Sequence, residues 1–223
     1  MEKKEFGVII GAIIILTLVF GFYDGLRGSY NSLIKYSIFS TIIVVVAVMA
    51  KKTMANALDA KVEHELWHME RILIVSKDLV FGFTKKQGFG SRIPMGIFIP
   101  LLVTILSAGF IKFTPILTYE ASATKYHSAK RFGTKSTLLL SEGQNTLIAA
   151  SSAFALFALA TIVYFLLPSQ VELSKLAVYY AVSNLVPISK LDGTQMFFGS
   201  RLISQLVWII ATLFFFCAIL VGR

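Results

Sequence analysis

Two of the chain's three histidines stand four residues apart, with a glutamate beside the first: His64-Glu65-Leu66-Trp67-His68. On a helix, positions i and i+4 lie one turn apart on the same face, so both imidazoles could bind one zinc ion. Glu65 could then act as general base toward a zinc-bound water. A second constellation is Asn184-Leu-Val-Pro187-Ile-Ser-Lys-Leu-Asp192-Gly193. Pro187 removes a backbone donor and disfavours continuation of a helix, so the backbone should unwind there. Asn184 lies in an otherwise apolar run, where its amide is costly unless it bonds a partner such as the freed backbone. Asp192 at such a broken end has the chemistry of a third zinc ligand. Its plainer reading is an Asp-Gly turn capping the next helix. The third histidine, His127, stands among Lys125, Lys130 and Arg131 and reads as a solvated loop residue.

The elements that must position these residues are apolar. Of 223 residues, 56% are hydrophobic, mean hydropathy is +0.76, and several runs approach the ~20 residues a membrane helix needs. A soluble chain at formal charge +9 would raise the question of nucleic acid. In a membrane chain the same excess reads as positive-inside topology and contact with anionic headgroups, so membrane lipids are the expected partners and no nucleic acid is. Cys217 stands alone and can form no intrachain disulfide.

In chain order, a charged start precedes an apolar run from Gly7 to Phe22 with no A-x-A-like cleavage site, so an uncleaved first span is expected. The second span runs from about Leu33 to Ala50 and stops at Lys51-Lys52. Residues 51–93 read as a polar cytosolic insert, helical from Thr53 to Glu70 because Ala, Leu, Met, Lys and Glu dominate it, and broken at Lys85 to Gly90. Further spans are expected at Asn145–Leu167, Leu173–Ile188 and Leu202–Val221. The expected fold is an all-α integral membrane protein of five to six transmembrane helices in one polytopic domain. Residues 1–32 form the first span and turn, 33–201 the core, and 202–223 the last span.

Segment 94–113 decides the number. With the N-terminus inside, letting it span leaves 12 Lys and Arg inside and nine outside. Letting it re-enter and leave on the same side gives 17 against four. The positive-inside rule favours re-entry. Non-helical backbone at that depth must be covered by protein or line a wet cavity, so re-entry implies an enclosed site. This topology makes a multi-pass cell-membrane protein with the N-terminus and loops 51–144 cytoplasmic.

The two constellations together resemble the site-2 proteases, a family of intramembrane zinc metalloproteases with an HExxH motif and a later N-x-x-P-x-x-x-x-D-G segment. Asn184, Pro187, Asp192 and Gly193 match that second pattern position by position. The resemblance covers about Leu33 to Arg201. It implies a three-span catalytic core with zinc held by His64, His68 and Asp192, Glu65 as base, and Asn184, Pro187 and Gly193 supporting the site. The implied activity is zinc-dependent endopeptidase cleavage of transmembrane segments of other proteins. The family pattern also has a membrane-associated segment after its HExxH span, which suits re-entry of 94–113.

A second register resembles archaeal members: Lys52, Ala55, Glu63, Trp67 and Pro94-Met95-Gly96 follow their series, with an insertion before Pro94. It sets Ala47-Val48-Met49-Ala50-Lys51 at the zinc motif, and those residues bind no metal. The alternative function is therefore a catalytically inactive member, a pseudoprotease that binds membrane-protein partners. A small transporter is a third reading, disfavoured because the spans carry almost no charge.

Overall fold

The computed structural model describes residues 3–28, 30–70, 92–123 and 140–220. His127 and the Lys85–Gly90 break lie outside them. Helices α1 (Lys3–Leu26) and α2 (Tyr30–Ala57) form an antiparallel pair. Together with α4 (Glu142–Leu166) and α7 (Arg201–Leu220) they are long and apolar enough to cross a membrane. These helices are apolar all round, as expected of helices that meet protein on one side and lipid on the other. Ile14, Leu18, Ile38, Val45, Leu206 and Ile209 face outward, while Leu16, Ile43, Ala149, Ala153 and Val207 are buried between helices. The small residues Ala149, Ala150 and Ala153 let α4 lie at the centre, packed on α2 and on the two short helices described next. Helix α4 starts three residues before the expected Asn145, because Ser141 and Gln144 make a reciprocal capping box.

The helix expected over Leu173–Ile188 is α5, Val171–Leu185. Its 15 residues cover about 22 Å, short of a ~30 Å hydrocarbon core. It ends two residues before Pro187, with Val186 already extended, as the loss of the proline donor predicts. Helix α6 (Asp192–Gly199) follows at once and doubles back onto α4 and α5. Against the expected five to six spans, the described residues hold four helices long and apolar enough to cross a membrane and a short fifth, α5.

The all-α expectation is also corrected. Helix α2 ends at Ala57, and Asp59 takes a left-handed φ of +54°, which stops it. Strand β1 (Ala60–Leu66) follows and pairs antiparallel with β4 (Leu117–Ala123); β2 (Met69–Glu70) pairs with β3 (Arg92–Ile93). Ala60, Val62 and His64 are buried while Lys61, Glu63 and Glu65 are exposed. That is a period of two, and burial of one face outweighs the helical propensity of the individual residues.

Segment 94–113 goes out and comes back. Helix α3 (Met95–Leu106) is only 12 residues, about 18 Å. At its start the Gly96 amide donates to the Trp67 carbonyl at 2.9 Å. At the far end Ala108 and Gly109 turn with positive φ against Tyr23, near the C-terminus of α1. The chain then returns, and the Ile116 carbonyl accepts from the Trp67 amide at 2.9 Å. Both arms are tied to the buried Trp67, so entry and exit share one end of the bundle. Lys112, counted above with the cytoplasmic cations, instead lies beside Asp24, Tyr36 and Glu172 at the opposite end. It sits just after the turn, at the depth the hairpin reaches.

Candidate functional site around Lys51 and Asp192

The His64–His68 motif lies on β1 and the bend after it, not on a helix. Alternation along the strand buries His64 and turns Glu65 outward to solvent. Four residues of extended chain cover roughly 13 Å, against one turn on a helix, so His68 is carried away from His64. His68 lines an open, mixed-charge cavity of about 540 Å³ with Lys4, Lys52, Lys61 and Glu65. His64 also touches that cavity, but its ring is sealed against α1, where Nδ1 lies 3.0 Å from Glu5 Oε1. Lys52 covers the same Glu5 carboxylate at 2.7 Å. Among the described residues no group of three or more His, Cys, Asp and Glu side chains is placed to hold a metal ion. The donor set His64, His68 and Asp192 does not converge.

What does converge is His64 with the second constellation. His64, Asn184 and Asp192 line one small cavity of about 10 Å³, together with Lys51, Ser152 and Tyr180. That volume is about one water molecule. Asp192 is the first residue of α6 and is 2% exposed. Its Oδ1 accepts from Lys51 Nζ at 2.7 Å, and its Oδ2 accepts from Ser152 Oγ at 3.1 Å. The Lys51 ammonium also sits 4.6 Å from the centre of the Tyr119 ring, opposite His64 in the β1–β4 ladder. Both partners are removed from water, so the pair relies on its own charge-assisted geometry. Asn184 donates through Nδ2 to the Tyr180 carbonyl at 3.1 Å, while its Oδ1 and His64 Nε2 have no hydrogen-bond partner among the described residues.

Gly193 and Pro187 build this arrangement rather than touch it. Pro187 stops α5, and α6 then begins so close beneath α5 that a Cβ on Gly193 would lie 1.7 Å from the Leu185 carbonyl oxygen. Only a glycine lets Asp192 enter the interior at that point.

Burial drives the His64 pKa down to about 4, helped by the Lys51 charge and opposed by the Glu5 hydrogen bond. The folded imidazole is therefore neutral at pH 7. In the unfolded chain it protonates near its ordinary value of about 6.5. Stability contributed by the neutral ring is full above about pH 6.5 and falls as pH drops to about 4, by on the order of 3 kcal/mol. His64→Gln should remove most of that slope. The check is chemical unfolding in micelles across this pH range; parallel curves for the two proteins would refute the assignment.

No family model, curated protein or solved structure matches this chain. The site must be read from its own residues. Lys51, Ser152, Tyr119 and Glu5 were not singled out as site residues from the sequence. Lys51 carried one signal, its place at the last motif position in the second register. Glu5 carried none beyond being an acid at the start of an apolar run.

Proposed function

We propose that this protein is a catalytically inactive relative of the site-2 proteases that holds transmembrane segments of partner proteins without cutting them. The observation that carries the reading is the buried Lys51–Asp192 ion pair, 2.7 Å from Nζ to Oδ1. In the second register Lys51 stands where the family pattern has its second histidine, and Asp192 stands where it has its acidic ligand. A tethered ammonium then balances the carboxylate that a zinc ion would otherwise balance. The hairpin from Met95 to Ile116 supports the same reading, because the family pattern has a membrane-associated segment at that point. The excess of cations around Lys51 and Lys52 supports a cytoplasmic face for this end.

The competing reading is an active zinc endopeptidase with His64, His68 and Asp192 as ligands and Glu65 as base. It rests on the HExxH letters, and the strand spacing works against it. Metal analysis of purified wild type and His64→Ala, with cleavage assays on transmembrane peptides in liposomes, separates the two. The inactive reading expects equal, substoichiometric zinc in both proteins and no products. Chelator-sensitive cleavage that Glu65→Gln abolishes would overturn it. A photo-cross-linker at Ile188, exposed beside Pro187, should give adducts with an added transmembrane peptide.

A further inference from the structure

The small cavity lined by His64, Asn184 and Lys51 has a hydrogen-bonding chemistry that its own residues do not complete. On one side of the imidazole, His64 Nδ1 lies 3.0 Å from Glu5 Oε1, and Lys52 Nζ stands 2.7 Å from the same oxygen. A carboxylate paired with an ammonium can only accept, so Nδ1 carries the ring proton. The neutral ring then presents Nε2 as a bare acceptor on its other side. His64 lines the cavity and Glu5 does not, so the Nε2 side of the ring is the one that faces it.

The Asn184 amide is oriented in the same way. Its Nδ2 donates to the Tyr180 carbonyl at 3.1 Å, which leaves Oδ1 as the free acceptor. The Tyr180 hydroxyl lies beside this amide without bonding Oδ1. His64 is 3% exposed and Asn184 6%, and neither Nε2 nor Oδ1 has a hydrogen-bond partner among the described residues. Two acceptors cannot bond each other; they need a donor to each. Lys51 lines the same cavity and gives one N–H to Asp192 Oδ1. An ammonium has further N–H groups to give.

We propose that one ordered water is bound in this cavity, donating to His64 Nε2 and to Asn184 Oδ1 and accepting from Lys51 Nζ. The space, about 10 Å³, is the least that a water needs and too small for a larger molecule. A metal or ammonium ion there would stand against the Lys51 charge, and an anion would face two lone pairs and the Asp192 carboxylate. Water supplies both missing protons and carries no charge. Three hydrogen bonds are what a buried water typically makes. The bridge ties β1 to α5 and α2, and it gives the buried amide and imidazole the partners that burial demands. The site stands whether or not the chain is a relative of the site-2 proteases.

The His64 ring supplies its own reporter. Its Hδ2 proton adjoins Nε2 and lies away from Nδ1. In His68→Gln/His127→Gln, labelled at histidine and held in micelles, His64 is the only histidine signal left. Nitrogen shifts should show Nδ1 protonated and Nε2 bare. Hδ2 should give a cross-peak at the water resonance, with the sign of a water bound for longer than the particle takes to tumble. Adding Asn184→Leu, which puts methyl groups where the second acceptor stood, should abolish that cross-peak. Its absence before the leucine is introduced would overturn the proposal, whether or not the leucine variant folds. Persistence in a folded leucine variant would overturn the bridge. Added zinc that moves the Nε2 shift and removes the cross-peak would overturn it too, by making the cavity a metal site.

Discussion

Gly193→Ala should leave little folded protein. The added Cβ would lie 1.7 Å from the Leu185 oxygen and 2.3 Å from its carbonyl carbon, both of them backbone atoms at the end of α5. No rotamer change relieves a clash with main chain, so α6 must move away from α5. That motion withdraws Asp192 from Lys51 and Ser152 and opens a core in which Leu191 and Met196 are fully buried. Overpacking by one methyl costs about 1–3 kcal/mol where side chains can yield, and more is expected here. Thermal unfolding and size exclusion in detergent would show it. Gly143→Ala is the control, because a Cβ there meets nothing within 4 Å at the start of α4 and should be neutral or slightly stabilising. A Gly193→Ala protein that melts with the control would refute the packing described for α6.

Removing either half of the buried ion pair should cost about 3–5 kcal/mol, because the other half is left as an unpaired charge out of water. Lys51 and Asp192 are 5% and 2% exposed at their side chains, so solvent screens little of this. Lys51→Met strands a carboxylate whose remaining partner is Ser152. Asp192→Leu strands an ammonium beside the Tyr119 ring. The double variant Lys51→Met/Asp192→Leu should recover most of the loss, since an apolar pair of similar bulk avoids desolvating two ions. A double-mutant cycle from unfolding in micelles measures the coupling. Additive losses would show that the two charges do not act as a unit, and the proposed ammonium-for-metal exchange would lose its support.

The two experiments probe one construction from different sides. Pro187 and Gly193 shape the backbone so that an acid can enter, and Lys51 makes its entry tolerable. The same pair bears on function. On the proposed inactive reading the tethered cation takes the place of a metal at this carboxylate, while Glu65 is turned to solvent on β1.

The four helices long and apolar enough to cross a membrane were legible from the residues alone. Apolar runs of about 20 residues need no partner to be recognised, because their length and burial follow from the bilayer and from internal hydrogen bonding. The end of α5 before Pro187 was equally local, since a missing N–H acts on its own turn. The strand Ala60–Leu66 was legible in principle, for its buried and exposed residues alternate. Its helix-forming composition pointed the other way, and only pairing with β4, more than fifty residues on, made the alternation decisive. With that choice went the one-face spacing expected of His64-Glu-Leu-Trp-His68, because positions i and i+4 lie one turn apart on a helix and roughly 13 Å apart along extended chain. The turning back of segment 94–113 was read from charge counting, and the two bonds at Trp67 place both its arms at one end. The position of Lys112 could not be counted, since it depends on how deep the hairpin reaches. Least legible was the pairing of Lys51 with Asp192 across 141 residues. Nothing local to either residue demands the other; a buried charge specifies only that some counter-charge must be found. Sequence fixes where this chain can be apolar and where it must break, and tertiary packing alone decides which charges those breaks bring together.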